Sequence, residues 1–360
     1  MPFSNRLNNL AELTTPEFSA TDQAGVAAPV PPEPVLTVTG GPLFESIAEK
    51  AGHHAPTLAL LADGSLLAAW YSYAGPRETQ GAEIFVSRLA SPSDESATAS
   101  WSMPRRVVSG PLSYGNPVLF AEYGVLRMFF CAAPGTWSAG NIRETRSTDN
   151  GETWNTPTTI SALLGGNVRN PPLRRSDGSL LLPAYDDLLQ RSLFFVQRDG
   201  AAWTLDSTLE TPFPARLIQP AIAVVDPARW ILAGRNGARG GTWFGVSADE
   251  GRTWRVAIQD DIPNPGAAVA LLKVGDDRYA LIYNNSRSDR TNLSIALASN
   301  GGVSWAPPQV IIEGAGEYAY PAATLDRAGV IHLVFSQDRR TIEHRRVALG
   351  SQFSGPSAAE

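Results

Sequence analysis

Lysine is nearly missing from these 360 residues: it occurs only at Lys50 and Lys273, so almost every positive charge is a guanidinium. Arginine-rich codon usage accounts for the bias as a whole, yet each arginine is also a planar fork able to grip a carboxylate through two parallel N–H groups, so single positions merit inspection. Charge of either sign is sparse at 18 %, and a net charge of −6 excludes the broad basic face that nucleic-acid binding requires. Cysteine occurs once, Cys131, inside the apolar run Met128–Cys131; an intramolecular disulfide framework is excluded and the residue reads as a small buried hydrophobe. No run of about 18 apolar residues is present to cross a membrane, and Met1 to Arg6 lacks the apolar core of a secretory signal, so a soluble cytoplasmic protein is expected. His53-His54 has no further ligands at close spacing, no Cys or His pair has zinc spacing, and Gly240-Gly241 is not set between a strand and a helix as a phosphate loop would be. No metal, cofactor or nucleotide is expected.

What the chain does have is turns, aromatics and a repeat. Gly 32 and Pro 28 make up a sixth of the residues, without the period of collagen, and 43 % hydrophobic content with Trp 9 and Phe 13 is ample for a core. Ser147-Thr-Asp149-Asn-Gly151-Glu-Thr153-Trp154 recurs as Ser247-Ala-Asp249-Glu-Gly251-Arg-Thr253-Trp254 and again as Ala298-Ser-Asn300-Gly-Gly302-Val-Ser304-Trp305. Weaker copies end at Trp101 and Trp203, so the tryptophans are separated by 53, 49, 51 and 51 residues. In each copy Asp suits the turn backbone as an acceptor, Gly supplies a positive φ, and Trp packs beneath a hairpin.

A second signal runs in phase with the first. Turns at Asp63-Gly64, Tyr123-Gly124, Asp177-Gly178, Asp226 to Trp230, Gly275 to Asp277 and Ala328-Gly329 each lead into an apolar strand, and an earlier strand opening with proline (Pro56, Pro117, Pro171, Pro220, Pro321) precedes most of them. Six units of about 50 residues, each with about four short strands, predict an all-β fold: a six-bladed β-propeller. The last unit runs out after Ile342 to Ala348, and Val35 to Thr39 has the alternation to supply its missing strand, closing the ring and removing a sheet edge. The expected organisation is a flexible or surface-draped leader over 1–34, the propeller over 35–349 and a tail over 350–360.

In such a ring the pocket lies on the axis, at the openings of the innermost strands and the loops that leave the second strands. The openings carry His53-His54, Asn116, Arg169-Asn170, Gln219, Asn264, Tyr318 and Tyr320; the loops carry Tyr71 to Glu78 with Arg77, Trp137, Tyr185-Asp186-Asp187, Arg235, Asn284-Asn285 with Arg287 and Arg290, and Asp338-Arg339-Arg340. Convergent Asn, Gln, His, Tyr and Arg suit a hydroxylated, anionic sugar. Asp186 and Asp187 also read as turn residues, Arg235 and Arg290 as inter-blade ion pairs, Tyr318 and Tyr320 as stacking surfaces, and His332 and His344 as structural strand residues.

The Ser-x-Asp-x-Gly-x-Thr-Trp elements look like Asp boxes, and the ordering from His53 to Val347 resembles the BNR-repeat, sialidase-like propellers. The resemblance implies Asp boxes on the face opposite the pocket and a site built from an arginine clamp, a tyrosine nucleophile and its carboxylate partner. Where that family has an arginine in an Arg-Ile-Pro segment, this chain has His54-Ala55-Pro56. Its nucleophilic tyrosine matches Tyr320, the glutamate that activates the tyrosine is matched by Gln219, and two clamp arginines match Arg235 and Arg290; Glu78 is the nearest carboxylate to the acid position. The catalytic candidates are therefore His54, Tyr320 and Glu78, with Arg77, Asn116, Arg169, Asn170, Tyr185, Asp186, Gln219, Arg235, Arg290, Tyr318 and Arg340 as substrate-binding candidates.

Three functions compete. An exo-acting, sialidase-like glycoside hydrolase for an acidic oligosaccharide or glycoside follows from the resemblance, although Gln219 cannot act as a base. A lyase that cleaves beside a uronic acid by β-elimination would use His54 and a tyrosine as base and acid. A non-catalytic carbohydrate-binding propeller needs neither.

Overall fold

Alternation of apolar and polar residues between tight turns produces short antiparallel strands, and in a computed structural model, which describes residues 36–90, 92, 100–302 and 304–350, these strands form six sheets in sequence order. Blade 1 runs Gly52–Leu60, Leu66–Tyr73, Glu83–Leu89 and Arg105–Val108. Blade 2 runs Ser113–Glu122, Val125–Ala133, Asn141–Ser147 and Thr158–Ser161. Blade 3 has a divided inner edge, Gly166–Val168 and Leu173–Arg174, before Leu180–Asp186, Arg191–Gln197 and Thr204–Leu209. Blade 4 comprises Leu217–Val224, Trp230–Asn236, Gly240–Ser247 and Arg255–Asn264, and blade 5 comprises Ala270–Gly275, Arg278–Tyr283, Asn292–Ser299 and an outer edge of Ser304–Trp305 and Gln309–Glu313.

Blade 6 consists of Tyr318–Leu325, Ile331–Gln337 and Thr341–Leu349, and its fourth strand comes from the other end of the described chain. Leu36–Pro42 pairs antiparallel with the third strand, from Leu36 opposite Leu349 to Pro42 opposite Glu343. The ring is thus closed by an N-terminal strand, as the pattern predicts. Val35, the leader over 1–34 and residues 351–360 lie outside the described residues.

Core side chains fill the spaces between adjacent blades. Tyr279, Leu281 and Tyr283 of blade 5 pack on Phe244, Ala233 and Ala221 of blade 4, and Phe335 and Leu333 of blade 6 face Ile295 and Leu293 of blade 5. Cys131 is buried in blade 2, where burial pushes its thiol up, out of the range of a reactive thiolate.

The repeated hairpins close in one way. Ser147 Oγ accepts the Gly151 N–H at 2.8 Å and Ser247 Oγ accepts that of Gly251 at 2.8 Å. Asp149 Oδ1 then accepts the Thr153 N–H at 2.9 Å, as Asp249 Oδ1 does that of Thr253 at 2.8 Å. Gly151 and Gly251 adopt φ of 90° and 76°, which only glycine takes without strain. The third copy differs: the Gly301 N–H is accepted by Asp277 of the neighbouring turn at 2.7 Å.

A buried chain of hydrogen bonds spans the seam where blade 6 meets blade 1. Trp101, bridged to Leu89 at the outer edge of blade 1, lies with Nε1 3.4 Å from His344 Nδ1; an indole nitrogen only donates, so this imidazole nitrogen accepts. His344 Nε2–H therefore donates to His332 Nδ1 at 3.0 Å, and His332 Nε2–H to Asp326 Oδ2 at 3.2 Å. Both imidazoles are held neutral. Burial, then the neighbouring His332, takes His344 down to about 3, while burial lowers His332 against the raising influence of Asp326.

This seam carries a pH dependence whose sign follows from the depressed folded values. In the unfolded chain both histidines bind protons below about 6.5, whereas the folded seam binds them only at lower pH, so stability falls as pH drops through 6.5. Each histidine contributes a slope of about 1.4 kcal/mol per pH unit over that window. Chemical denaturation at pH 7, 6 and 5 is expected to show the loss, and His344→Leu to show a slope shallower by about one proton. An unchanged slope in the variant would contradict the assignment.

Candidate active site on the axis of the ring

Four innermost strands carry the same irregularity at the same height. The ladder of blade 1 passes from His54 opposite Tyr71 to Thr57 opposite Ala69, leaving Ala55 and Pro56 to face a single residue. Equivalent slips leave out Asn116-Pro117 in blade 2, Gln219-Pro220 in blade 4 and Tyr320-Pro321 in blade 6. Proline has no N–H to give the ladder, so an X-Pro pair is a natural place for a bulge, and a bulge re-aims the side chain before it. The residues before proline take positive φ: Ala55 48°, Asn116 49°, Gln219 55° and Tyr320 57°. Each such conformation costs about 1–3 kcal/mol in a residue other than glycine and persists only where its surroundings hold it.

Tyr320 and Gln219 meet because of these two bulges. Gln219 Nε2 lies 3.2 Å from Tyr185 Oη and 3.4 Å from Tyr320 Oη, and Arg235 Nη1 lies 3.4 Å from the same Tyr320 hydroxyl. Gln219 Oε1 is buried with no partner among the described residues. Burial, followed by the neighbouring Tyr320, raises Tyr185 well above an ordinary phenol. No carboxylate contacts the Tyr320 hydroxyl among the described residues; the amide stands where the resemblance implies an acid.

His54 packs beside Tyr320, ring centroids 4.4 Å apart and tilted by 58°, with Tyr71 edge-on at 5.9 Å. Its Nδ1 is 2.8 Å from Ser336 Oγ, which also accepts the Ala55 N–H at 3.2 Å. Burial is the first reason that His54 stays far below the usual imidazole range, and the fields of Arg339, Arg290, Arg169 and Arg235 add to it in that order. The imidazole is neutral at every physiological pH and sits among four guanidinium charges.

Two carboxylates partly balance them. Glu317 accepts from Arg290 Nη1 at 2.9 Å and faces Arg339 Nε at 3.5 Å, so one carboxylate ties two arginines together. Glu78 receives the Tyr71 hydroxyl at 2.6 Å on one oxygen and the guanidinium of Arg339 on the other. Burial, then the charge of Glu78, raises Tyr71 well above an ordinary phenol, so Tyr71 remains a donor.

The other candidates are distributed around this centre. Asn116 Nδ2 donates to Asn167 Oδ1 at 3.0 Å, and Asn170 Nδ2 donates to the carbonyls of Gln219 and Pro220 at 3.2 and 3.0 Å. Arg169, 3 % exposed, donates to the carbonyls of Pro56, Tyr320 and Pro321. Asp186 accepts the N–H groups of Leu188 and Leu189, capping the turn at the end of its strand. Tyr318 lies in the apolar layer between blades 5 and 6 against Phe335. Arg77 and Arg340 are exposed at the rim. Sequence reading placed the loop Asp338-Arg339-Arg340 at the pocket but chose Arg340 from it as the binding residue, whereas Arg339 is the arginine that reaches Glu78 and Glu317; it missed Glu317, Ser336 and Asn167. One aromatic wall was legible: Trp137 covers Gly115, where a Cβ would stand 2.4 Å from the indole.

Comparison with known proteins agrees with this architecture. A family profile described as "BNR repeat-like domain" matches residues 64–333. A sialidase of Bacteroides fragilis is 23 % identical over 203 residues, a match that covers 50 % of this chain and 36 % of that protein, so the chain matches only about a third of its relative's length. Among solved structures, a point mutant of the NanB sialidase from Streptococcus pneumoniae superposes with a TM-score of 0.72 at 14 % identity, covering 87 % of this chain and 71 % of the other. The Hadza microbial sialidase Hz136 gives 0.69 at 17 % identity over 85 % and 67 %. A protein of unknown function from Dyadobacter fermentans gives 0.72 at 13 % identity over 87 % and 99 %. At these identities the structural likenesses show the fold.

The arginine field around His54 is directly testable. Among the charges depressing His54, that of Arg339 is the largest, so Arg339→Met should raise the imidazole toward, though not to, its ordinary value near 6.5. Imidazole 13C chemical shifts followed against pH read this out. A His54 that titrates identically in both proteins would remove Arg339 from the site.

Proposed function

The chain belongs to the BNR repeat-like domain family, and on that footing we propose that it is a sialidase-like glycoside hydrolase that removes an acidic sugar from a glycoside or oligosaccharide. The observation that carries the reading is the set of arginines converging on the axis around one neutral histidine, with two carboxylates among them. Such a field favours an anionic ligand, and Arg235, Arg290 and Arg339 offer guanidinium N–H groups to a sugar carboxylate.

The reacting groups follow from position. Tyr320 is offered as the nucleophile, attacking the anomeric carbon or stabilising the charge that develops there; Glu78, which accepts from the Tyr71 hydroxyl and the Arg339 guanidinium, is the nearest carboxyl and donates to the leaving oxygen after taking up a proton from solvent. Gln219 cannot take the phenol's proton. His54, whose ring packs against Tyr320, is the group offered as base in its place.

One specific observation favours a second reaction. A neutral imidazole beside a tyrosine, with an amide and a guanidinium at the phenol oxygen, is also a base and acid pair for β-elimination next to a uronate carboxylate. The two reactions leave different products: hydrolysis incorporates water, whereas elimination leaves an unsaturated sugar that absorbs in the ultraviolet and gains no mass.

A panel of acidic glycosides and uronate-containing oligosaccharides, read by mass spectrometry and absorbance, tests both. Release of a sugar carrying one oxygen from labelled water is the expected result, and the carboxyl-reduced analogue should not be cleaved. His54→Ala should lower turnover by about 100-fold or more, because a positioned acid–base group contributes 10²–10⁴. Unaltered turnover in that variant, or equal cleavage of the carboxyl-reduced analogue, would refute the reading.

A further inference from the structure

Bulges re-aim side chains, but they also take backbone carbonyls out of the ladder, and in this ring those of three blades accept hydrogen bonds from side chains of a fourth. Blade 3 supplies the donors. Its inner edge breaks between Gly166–Val168 and Leu173–Arg174, and the residues beside and within the break reach the bulges of four other blades. Arg169 Nη1 donates to Pro56 O of blade 1 at 2.8 Å; Arg169 Nη2 donates to Tyr320 O at 2.7 Å and Pro321 O at 2.8 Å in blade 6. Asn170 Nδ2 donates to the Gln219 and Pro220 carbonyls of the blade 4 bulge, whereas at blade 2 the direction is reversed, Asn167 Oδ1 accepting from the Asn116 side chain.

We propose that Arg169 is a positioning residue: its guanidinium, bonded to backbone carbonyls of two blades at once, holds Tyr320 in the left-handed conformation that presents the phenol to Gln219, Arg235 and the ligand. Three features of the molecule point the same way. The guanidinium contacts carbonyl oxygens and no carboxylate among the described residues, so it is not an ion pair between blades. Its Cζ lies over the Tyr320 ring, 5.2 Å from the centroid, so it meets both the backbone and the side chain of one residue. Burial lowers it only to about 10, so it stays charged at neutral pH, beside His54 and Tyr320. A lysine could keep the charge there but has no planar fork to reach the carbonyls of both blades.

The significance for catalysis rests on the proposed role of Tyr320; the structural claim does not. The test therefore has one arm that requires no substrate. Protein labelled with 3-fluorotyrosine gives a 19F line for Tyr320 that Tyr320→Phe identifies by its loss. In Arg169→Lys that line is expected to shift or broaden while the other tyrosine lines hold. Guanidinium chloride well below its denaturing range should move the line back in Arg169→Ala, by filling the site with the missing fork. The activity arm uses the acidic glycoside cleaved by the unaltered protein: kcat should fall about 100-fold in Arg169→Lys, the cost of a misplacement of about 1 Å, with KM changing by less than about threefold.

An unmoved Tyr320 line together with normal kcat in Arg169→Lys overturns the proposal, as does an Arg169→Ala line that guanidinium leaves displaced. A displaced line with normal kcat sustains the positioning role and refutes Tyr320 as the acting phenol, so the two failures are distinct. Should Arg169→Ala not fold, Arg169→Gln, which is neutral and too short for both blades, provides the same comparison of line position and kcat.

Discussion

Backbone carbonyls left without ladder partners at the axis are the constraint on which the rest of this site depends. A propeller gathers its innermost strands around a narrow centre, and four of the six here interrupt their pairing with an X-Pro bulge at the same level. A buried carbonyl without a donor costs about 1–3 kcal/mol, and each left-handed residue adds a similar penalty. Blade 3 sacrifices a continuous inner strand and offsets these costs with Arg169 and Asn170. Its irregularity is thus the counterpart of regularity in the others: a continuous inner strand in blade 3 would leave the opposite bulges unsatisfied.

Electrostatics follows from that geometry. Once Arg169 is fixed beside His54 and Tyr320, its charge joins those of Arg235, Arg290 and Arg339, and His54 is denied a proton by burial first and by this field second. A residue that would be half protonated near pH 6.5 in water is held neutral here, and the burial and positive field that deny it a proton also weaken it as a base. Glu317 and Glu78 prevent the arginines from repelling one another apart, and by pairing Glu317 with both Arg290 and Arg339 the fold fixes the spacing between two forks.

Much of this was legible in the sequence, for reasons that differ by level. The repeat was visible because two hairpins share a glycine at positive φ and an aspartate acceptor at fixed offsets from a tryptophan, and the tryptophan keeps its period where the other positions diverge. The convergence of His54, Gln219, Tyr320, Arg235 and Arg290 was visible because strand openings recur with that period. What stayed hidden depends on direction rather than position. In the turn after Ile331–Gln337 both Asp338 and Arg339 take positive φ, 53° and 54°, a double reversal that turns Arg339 inward and leaves Arg340 at the rim; no spacing rule anticipates it. Tyr318, two residues from Tyr320 and on the same face by simple alternation, is sent into the inter-blade core because the bulge begins between them.

The histidine at position 54 makes physical sense only alongside Arg339. An arginine beside Ala55-Pro56, the arrangement in the propellers this chain resembles, would place a permanent charge against Tyr320; histidine removes that charge and supplies a lone pair. The pocket does not thereby lose its pull on anions, because Arg339 enters from blade 6, and its own carbonyl accepts the His53 N–H at 2.7 Å, so the two segments are locked in register. The serine that meets His54 Nδ1 and the arginine that suppresses its protonation lie three residues apart on the same blade. One short stretch, Ser336 to Arg339, therefore fixes the orientation of the imidazole and adds to the burial that keeps it neutral, and a site that would otherwise hold a cation at that point instead holds an uncharged ring.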